Sequence, residues 1–506
     1  MNSPPRPAVS FDGGSLDCGS GLLLLIRQHI DPLASSELLE IFSSEPSVRD
    51  DLAAWCRLTG NELVLDEASG ENRRRYLVSR GAFVPSPETA SAAPSRTPMP
   101  IARPVTEVQV PAVLPEPAPA ASIEPLSVLG VGSWPRPRWL LRALHEFLEG
   151  RLGEEEFQES ADDAVRLAVE AQLRAGVDAL TDGEQRRDNY ASFVGGLLDN
   201  CQLIPITDLL PYVEHPDDFA KQLDSLDVPA GKVRHPAVFG PLGRSRPLAV
   251  HEYAFVRSLT DRPVKVALPG PYLLTRTMWM ECISDRAYAD REALSRDVVR
   301  VLREELHHLL AAGVALVQFD EPVLTEVAHG GRSDQRTFMC GALGEKLAVA
   351  DELDFAEGLL GAVVEGLPRE RLAMHVCRGN WTPDESAALS GDYAPLVGIL
   401  SRVPVGTLFL EFCTPRAGTE EVLAELPEDR RIGIGVVNQK DPEVESVEAI
   451  VAKARGAIDR CGAERVLLVP DCGFATFADN PISSATIAEQ KLSRMAEARD
   501  RLRRSG

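Results

Sequence analysis

From about residue 124 onward, apolar residues come in short runs, separated by longer stretches in which they recur every three or four positions. The runs are SVLGVGS from residue 127, DALTDGE from 178, VKVALPGP from 264 and ALVQFDEP from 315, then RLAMHVC from 371, TLFLEF from 407, RIGIGVV from 431 and VLLVPDC from 466. Short, near-continuous apolar runs are the pattern of strands buried on both faces. ADDAVRLAVEAQLRAG and REALSRDVVRVLREELHHLLAAG carry helical spacing instead, and stop at Gly176 and Gly313, where a helix expects glycine. Eight strand–helix units within residues 124–506 predict an α/β fold of the (β/α)8 TIM-barrel type, with its longest insertion between Glu184 and Val264. The first part of the chain reads differently. From SLDCGSG to RRYLVS the order is strand, helix, strand (LLEIFSS), helix (VRDDLAAWCRL), strand (ELVLDE), strand, within residues 10–82. Residues 83–123, including FVPSPETASAAPSRTPMPIARP and VPAVLPEPAPAAS, have the Pro, Ala and Ser content of a linker.

Composition narrows the partners. A formal charge of −23 argues against nucleic acid and anionic membrane surfaces, and no apolar run is long enough to span a bilayer. MNSPPRPAVSFDGG lacks the basic start and apolar core of a secretory leader. Nine cysteines, an odd number in so long a chain, do not make a disulfide framework, so a reducing cytoplasm is expected.

A barrel places its chemistry at the C-terminal ends of its strands. Ser133, Glu184, Asp320, His375, Cys377, Glu411 and Cys472 all fall at or just beyond such ends. His375 and Cys377 are two apart, so on a strand they point the same way. With Glu411 and Cys472 they compose a plausible zinc set; the plainer alternative is a buried histidine with buried free thiols. Three anionic ligands and one His leave such a site near −1, which suits ionising a thiol while keeping it electron-rich enough to attack carbon. Glu184 and Asp320 could supply anions for a substrate ammonium, and Ser133 a donor for a carboxylate. Alternatively these carboxylates cap helices or pair with Arg186 or Arg187.

HVC, LEF and PDCG, in that order, resemble the catalytic domain of cobalamin-independent methionine synthase. So do VLGVGSWPRP, LTDGEQRRDNYASF, LPGPY, VQFDEPVLTE and GIGVVNQK. The resemblance spans about residues 125 to 490. It implies a (β/α)8 barrel with one zinc on His375, Cys377, Glu411 and Cys472. It also implies that Gly132-Ser133, Glu184 and Asp320 hold the amino-acid part of homocysteine, whose thiol would be methylated to give methionine. Three family positions differ. Thr277 stands where a Trp stacks on the folate pterin, with Trp279 two residues further. The His that assists the leaving folate nitrogen falls on Lys440, and a nearby Asp on Asn438, which makes Lys440 and Asn438 the expected catalytic pair. A 5-methyltetrahydrofolate-type donor therefore stays open. A single barrel is closer to the short relatives, which include epoxyalkane:coenzyme M transferase, so another zinc-dependent thiol alkyltransferase is the alternative. The expected partners are a small-molecule thiol and a methyl donor.

The N-terminal segment, best in EPSVRDDLAAWCRLTGNELV, resembles TusA-like sulfur-carrier domains, which implies a small two-layer α/β sandwich. The family's Cys-Pro-x-Pro motif is missing. Cys18 lies nearby, and Cys56 falls in a core pattern. A sulfur-relay protein docking through residues 10–82 is one expectation, and a non-catalytic sulfur-relay or regulatory protein the alternative from another class.

Overall fold

In the computed structural model of this protein, the described residues are 7–14, 16, 22–69, 73–83, 102–205, 234–329, 348–380, 385, 388–478 and 482–505. The chain divides into two compact units, Met1–Pro98 and Met99–Gly506.

In the first unit, Leu22, Ile26 and Ile30 recur at helical spacing along the helix Leu23–Ile30, and Val48, Leu52 and Cys56 along Val48–Thr59. Both stripes bury against alternate residues of a four-stranded sheet: Leu39 and Ile41 from β2 (Leu38–Ser43), Tyr76 and Val78 from β4 (Arg74–Ser79). The sheet order is β1-β2-β4-β3, with β1 (Val9–Asp12) parallel to β2 and β3 (Glu62–Ala68) antiparallel to β4. Gly60 ends the second helix in the left-handed conformation at φ 74°. Arg75 bridges Glu40 at 2.5 Å and Glu67 at 2.7 Å, spending charge on positions the helices do not cover. One detail differs from the sequence reading: the first strand is Val9–Asp12, ahead of SLDCGSG. Cys18 lies outside the described residues. Cys56 is core, as its apolar pattern implied.

In the second unit, six of the eight apolar runs are parallel strands in chain order: β7 (Lys265–Pro269), β8 (Leu316–Asp320), β9 (Leu372–Val376), β10 (Thr407–Leu410), β11 (Arg431–Val437) and β12 (Val466–Pro470). Nearly every residue in them is buried, as helices on the outside require. The runs at 127 and 178 are too interrupted by Gly130, Gly132 and Gly183 to extend a ladder. They pair through single parallel bridges: Val128 with Leu468 of β12, Leu129 with Ala179, and Leu180 with Val264 just before β7. The two edges of the six-stranded sheet are thus connected through these two segments. The insertion after Glu184 contains an antiparallel pair, β5 (Asp199–Pro205) with β6 (Arg234–Gly243). The helix Arg291–Ala312 starts on an Asp290 side chain accepting the Ala293 N–H at 2.6 Å and stops at Gly313, φ 93°.

Residues 102–123, expected as linker, have no regular secondary structure yet lie along the second unit through their backbone. Val105 exchanges bonds with the Asn200 side chain at 2.6 and 2.8 Å, the Pro115 carbonyl meets His307 Nδ1 at 3.0 Å, and the Ala118 carbonyl accepts from Arg371 at 2.6 Å. A proline-rich chain keeps its carbonyls free of a ladder, so side chains can bind them. Among the described residues no helix is long and apolar enough to cross a membrane.

Candidate metal centre

Each strand end delivers one part of the site. Asp320 is the last residue of β8 and lies in register with His375 on β9, while Cys377 follows β9 and Cys472 follows β12. One ligand atom each of His375, Cys377 and Cys472 lies within 4.8 Å of the others, and all three residues are buried. His375 Nδ1 is 2.9 Å from Asp320 Oδ1, whereas Nε2 is buried without a hydrogen-bond partner. A carboxylate on Nδ1 fixes the proton there and leaves Nε2 as a bare lone pair, the arrangement of a metal-binding imidazole. The hydrogen bond from the Cys472 thiol pulls Cys377 down to about 7, against burial and with help from His375; Cys472 is pushed up by that same bond and by burial. Burial pulls His375 down, but Cys377 and Asp320 outweigh it and raise it above the usual imidazole range. These surroundings favour a cation.

Glu411 follows β10 and is fully buried beside the thiols, yet its oxygens are engaged. Oε2 accepts the Arg378 N–H at 3.1 Å and the Asn380 amide at 2.8 Å, and Oε1 accepts from Arg416 at 2.6 Å. Burial pushes Glu411 up; Arg416 and Arg378 outweigh it and hold it below the ordinary carboxylate range. The Tyr393 hydroxyl ties the same corner together, donating to Val376 O at 2.7 Å and accepting the Glu411 N–H at 2.8 Å.

A cavity opens over these three side chains, lined also by Gly132, Ser133, Glu184, Tyr190, Asp320, Asn380 and Thr476. Glu184 enters it from a strained turn: Gly183 at φ 72° and Glu184 itself at φ 54°. A Cβ on Gly132 would sit on Glu184 Oε1, so only glycine lets the carboxylate approach. Arg136 clamps the turn by donating to the carbonyls of Glu184 at 2.6 Å and Arg187 at 2.7 Å. Burial raises Glu184 to about 7 against the pull of Arg187, and its Oε2 has no partner. Arg187 does not pair with it; Arg187 is held by Glu252 at 2.6 Å. Ser133 Oγ accepts the Ala475 N–H at 3.2 Å, leaving its proton free to donate.

Asp320 was expected on the substrate alone. Its Oδ1 instead accepts from Gln318 at 2.7 Å and meets His375, so it acts first on the imidazole. Asn438 and Lys440 follow β11 and are not among the residues lining the cavity. Asn438 donates to Glu385 Oε1 at 2.7 Å and accepts the Lys440 N–H at 2.9 Å, and burial with Arg416 lowers the Lys440 ammonium. Thr277 turns its hydroxyl onto its own helix, donating to Leu273 O at 2.6 Å, and neither it nor Trp279 lines the cavity. Arg416 and Asn380, which lock Glu411, were not foreseen; Asn380 lies in a loop and Arg416 in the single 3-10 turn Pro415–Ala417, where no periodicity points to them.

The cobalamin-independent synthase catalytic-domain family model matches residues 126–350 and 388–498. The chain belongs to that family. It is 25% identical over 382 residues to a methionine synthase of Saccharolobus solfataricus, a match covering 74% of this chain and 96% of that protein. It is 27% identical over 348 residues to a 5-methyltetrahydropteroyltriglutamate–homocysteine methyltransferase of Yersinia enterocolitica, covering 68% of this chain but 40% of that protein. Among solved structures, a B12-independent methionine synthase from Shewanella sp. W3-18-1 in complex with selenomethionine superposes with a TM-score of 0.56 at 22% identity, over 75% of this chain and 98% of that one. The putative vitamin-B12-independent methionine synthase of Listeria monocytogenes does so at 0.52 and 18%, over 76% and 99%. These two likenesses concern the fold: a mixed α/β architecture around a parallel sheet.

Proposed function

We propose that this chain is a zinc-dependent methyltransferase that places a methyl group on the thiol of homocysteine to form methionine. The reading rests on two orphaned buried atoms from residues lining one cavity, His375 Nε2 and Glu184 Oε2. The first suits a metal; the second suits the ammonium of an amino acid. His375, Cys377 and Cys472 would hold the ion, with Glu411 as fourth ligand through the Oε1 lone pair that Arg416 leaves over. Zinc bound there would supply ionisation of the substrate thiol near neutral pH. Glu184 and the second oxygen of Asp320 orient the ammonium, and Ser133 Oγ donates to the carboxylate. Lys440, its ammonium lowered by burial and its backbone held by Asn438, is assigned as the acid that protonates the departing amine of a folate-type donor. An acceptor with a sulfonate, as in the coenzyme M alternative, is disfavoured, because the described cavity lining carries two carboxylates and no Lys or Arg.

We read the second unit as a single (β/α)8 barrel closed through the segments at 128 and 179, and residues 10–82 as a TusA-like sandwich that docks a sulfur-relay partner. The strand–helix–strand–helix–strand–strand order of that unit supports the latter. A reducing cytoplasm agrees with free thiols at Cys56, Cys201, Cys377, Cys413, Cys461 and Cys472. Metal analysis of the parent beside Cys377→Ser and Cys472→Ser, followed by homocysteine-dependent methyl transfer, tests the central reading. One zinc per parent chain and most of it missing from both folded variants is expected; full occupancy in Cys472→Ser would overturn the ligand assignment.

A further inference from the structure

Lys265 is the first residue of β7 and is buried at 1% exposure in the middle of an apolar run. Leucine would fill the same space without the cost of burying a charge. Its ammonium donates to the Val131 carbonyl and, at 2.6 Å, to Gln318 Oε1, and lies 5.3 Å from the centre of the Phe409 ring. The ring occupies space that a Cβ on Gly433 would take. Gln318 Nε2 in turn donates to Asp320 Oδ1 at 2.7 Å, and that oxygen faces His375 Nδ1 at 2.9 Å. Gln318 and Asp320 are two apart on β8 and so share a face, and Asp320 is paired in register with His375.

We propose that Lys265, acting through Gln318, is a positioning residue that holds the Asp320 carboxylate against His375 Nδ1 and thereby fixes the imidazole in the orientation that leaves Nε2 unpaired. The inference rests on His375 being a metal ligand. Each link follows from what the groups can do. An ammonium only donates, so it takes the carbonyl end of the Gln318 amide. That turns the NH2 end toward Asp320, whose carboxylate only accepts. Asp320 can then satisfy His375 only if Nδ1 carries the proton, and Nε2 is left with its lone pair. Without the ammonium, the Gln318 carbonyl is left buried with no donor, so the amide is no longer anchored against Asp320, and Asp320 loses the cation that offsets its charge. Lys265 and Gln318 are not among the residues lining the cavity, so Lys265 is not itself catalytic.

The test uses the full-length protein with Lys265→Met, Gln318→Met and the double variant. Zinc affinity is read by chelator competition, and the Asp320–His375 bond by the downfield proton shift of His375 Nδ1–H in the metal-free protein, the signal being identified by its loss in His375→Gln. Each single variant should keep its circular dichroism spectrum, weaken zinc binding by about tenfold or more, and lose the downfield Nδ1–H signal or move it upfield. The double variant should be no worse than the weaker single one, because both cut the same chain. A folded Lys265→Met that keeps the parent affinity and the parent Nδ1–H signal would overturn the proposal, as would losses that multiply in the double variant. If Lys265→Met does not fold, Gln318→Met decides by the same two readouts. A parent without zinc affinity would sink the metal-centre reading instead, and the Nδ1–H comparison in metal-free protein would still decide this one.

Discussion

Glu184→Gln separates stability from function within one side chain. Burial raises the Glu184 carboxyl from 4.5 to about 7, and the side chain is only 3% exposed, so solvent screens little of that cost. At about 1.4 kcal/mol for each tenfold in proton affinity, the folded protein carries roughly 3 kcal/mol of penalty once this group ionises. The folded form holds its proton more tightly than the unfolded chain. Between pH 4.5 and about 7 it therefore keeps a proton that the unfolded chain has released, and stability falls as pH rises through that window. Glutamine has the same shape and no charge to bury. Urea unfolding of parent and variant, followed by circular dichroism at pH 5 and pH 8, should show the variant gaining up to roughly 3 kcal/mol over the parent at pH 8, and little at pH 5. Binding should move the other way. Losing a charge-assisted bond of about 1.5–3 kcal/mol weakens homocysteine by roughly tenfold or more. The ligand should then raise the melting temperature of the parent far more than that of the variant. An equal stability difference at both pH values, or a variant less stable at pH 8, would refute the picture of an unpaired buried carboxylate waiting for a cation.

Arg416→Met should destabilise by about 3–5 kcal/mol, since it strands the fully buried Glu411 without its 2.6 Å partner; an unchanged melting temperature would mean Glu411 is protonated or solvated. Asp320→Asn should weaken zinc and homocysteine together, each by about tenfold, because Oδ1 serves His375; loss of homocysteine alone would show that the imidazole does not depend on it. A chain starting at Met99 should melt with the parent's second unit. One starting at Ser122 should melt lower, since Arg371, His307 and Asn200 each lose a carbonyl, at about 1–3 kcal/mol for every buried donor left unpaired; equal melting would make residues 99–121 dispensable.

What was legible in the sequence follows from periodicity. Alternation along a strand is written in the chain, so His375 and Cys377 could be put on one side of one strand end, and the other ends could be searched for partners. Six of the apolar runs are strands for the same reason. The runs at 127 and 178 also pair as expected, but glycines shorten them to single bridges, a distinction that hydrophobicity alone does not carry. Arg416 and Asn380 were invisible because a single 3-10 turn and a loop, neither with a readable period, set their positions. Lys265 and Gln318 were visible as polar residues inside VKVALPGP and ALVQFDEP, and apolarity drew attention away from them. Asp320 was located correctly at its strand end, but geometry alone could show that one oxygen already serves His375.

The segment 102–122 is recognised largely through its main chain: Val105, Pro115 and Ala118 offer carbonyls, and Val105 an N–H, while the side chains of Val105, Val110 and Val113 are 55%, 56% and 83% exposed. Residue identity there is loosely constrained, but length and path are not. Substitutions should accumulate freely along this strap, whereas a single inserted or deleted residue would shift every carbonyl off its partner. One of those partners, Arg371, immediately precedes β9, whose far end carries His375 and Cys377. A slip in a stretch that looks expendable would thus be felt at the base of the strand that presents two of the metal's ligands.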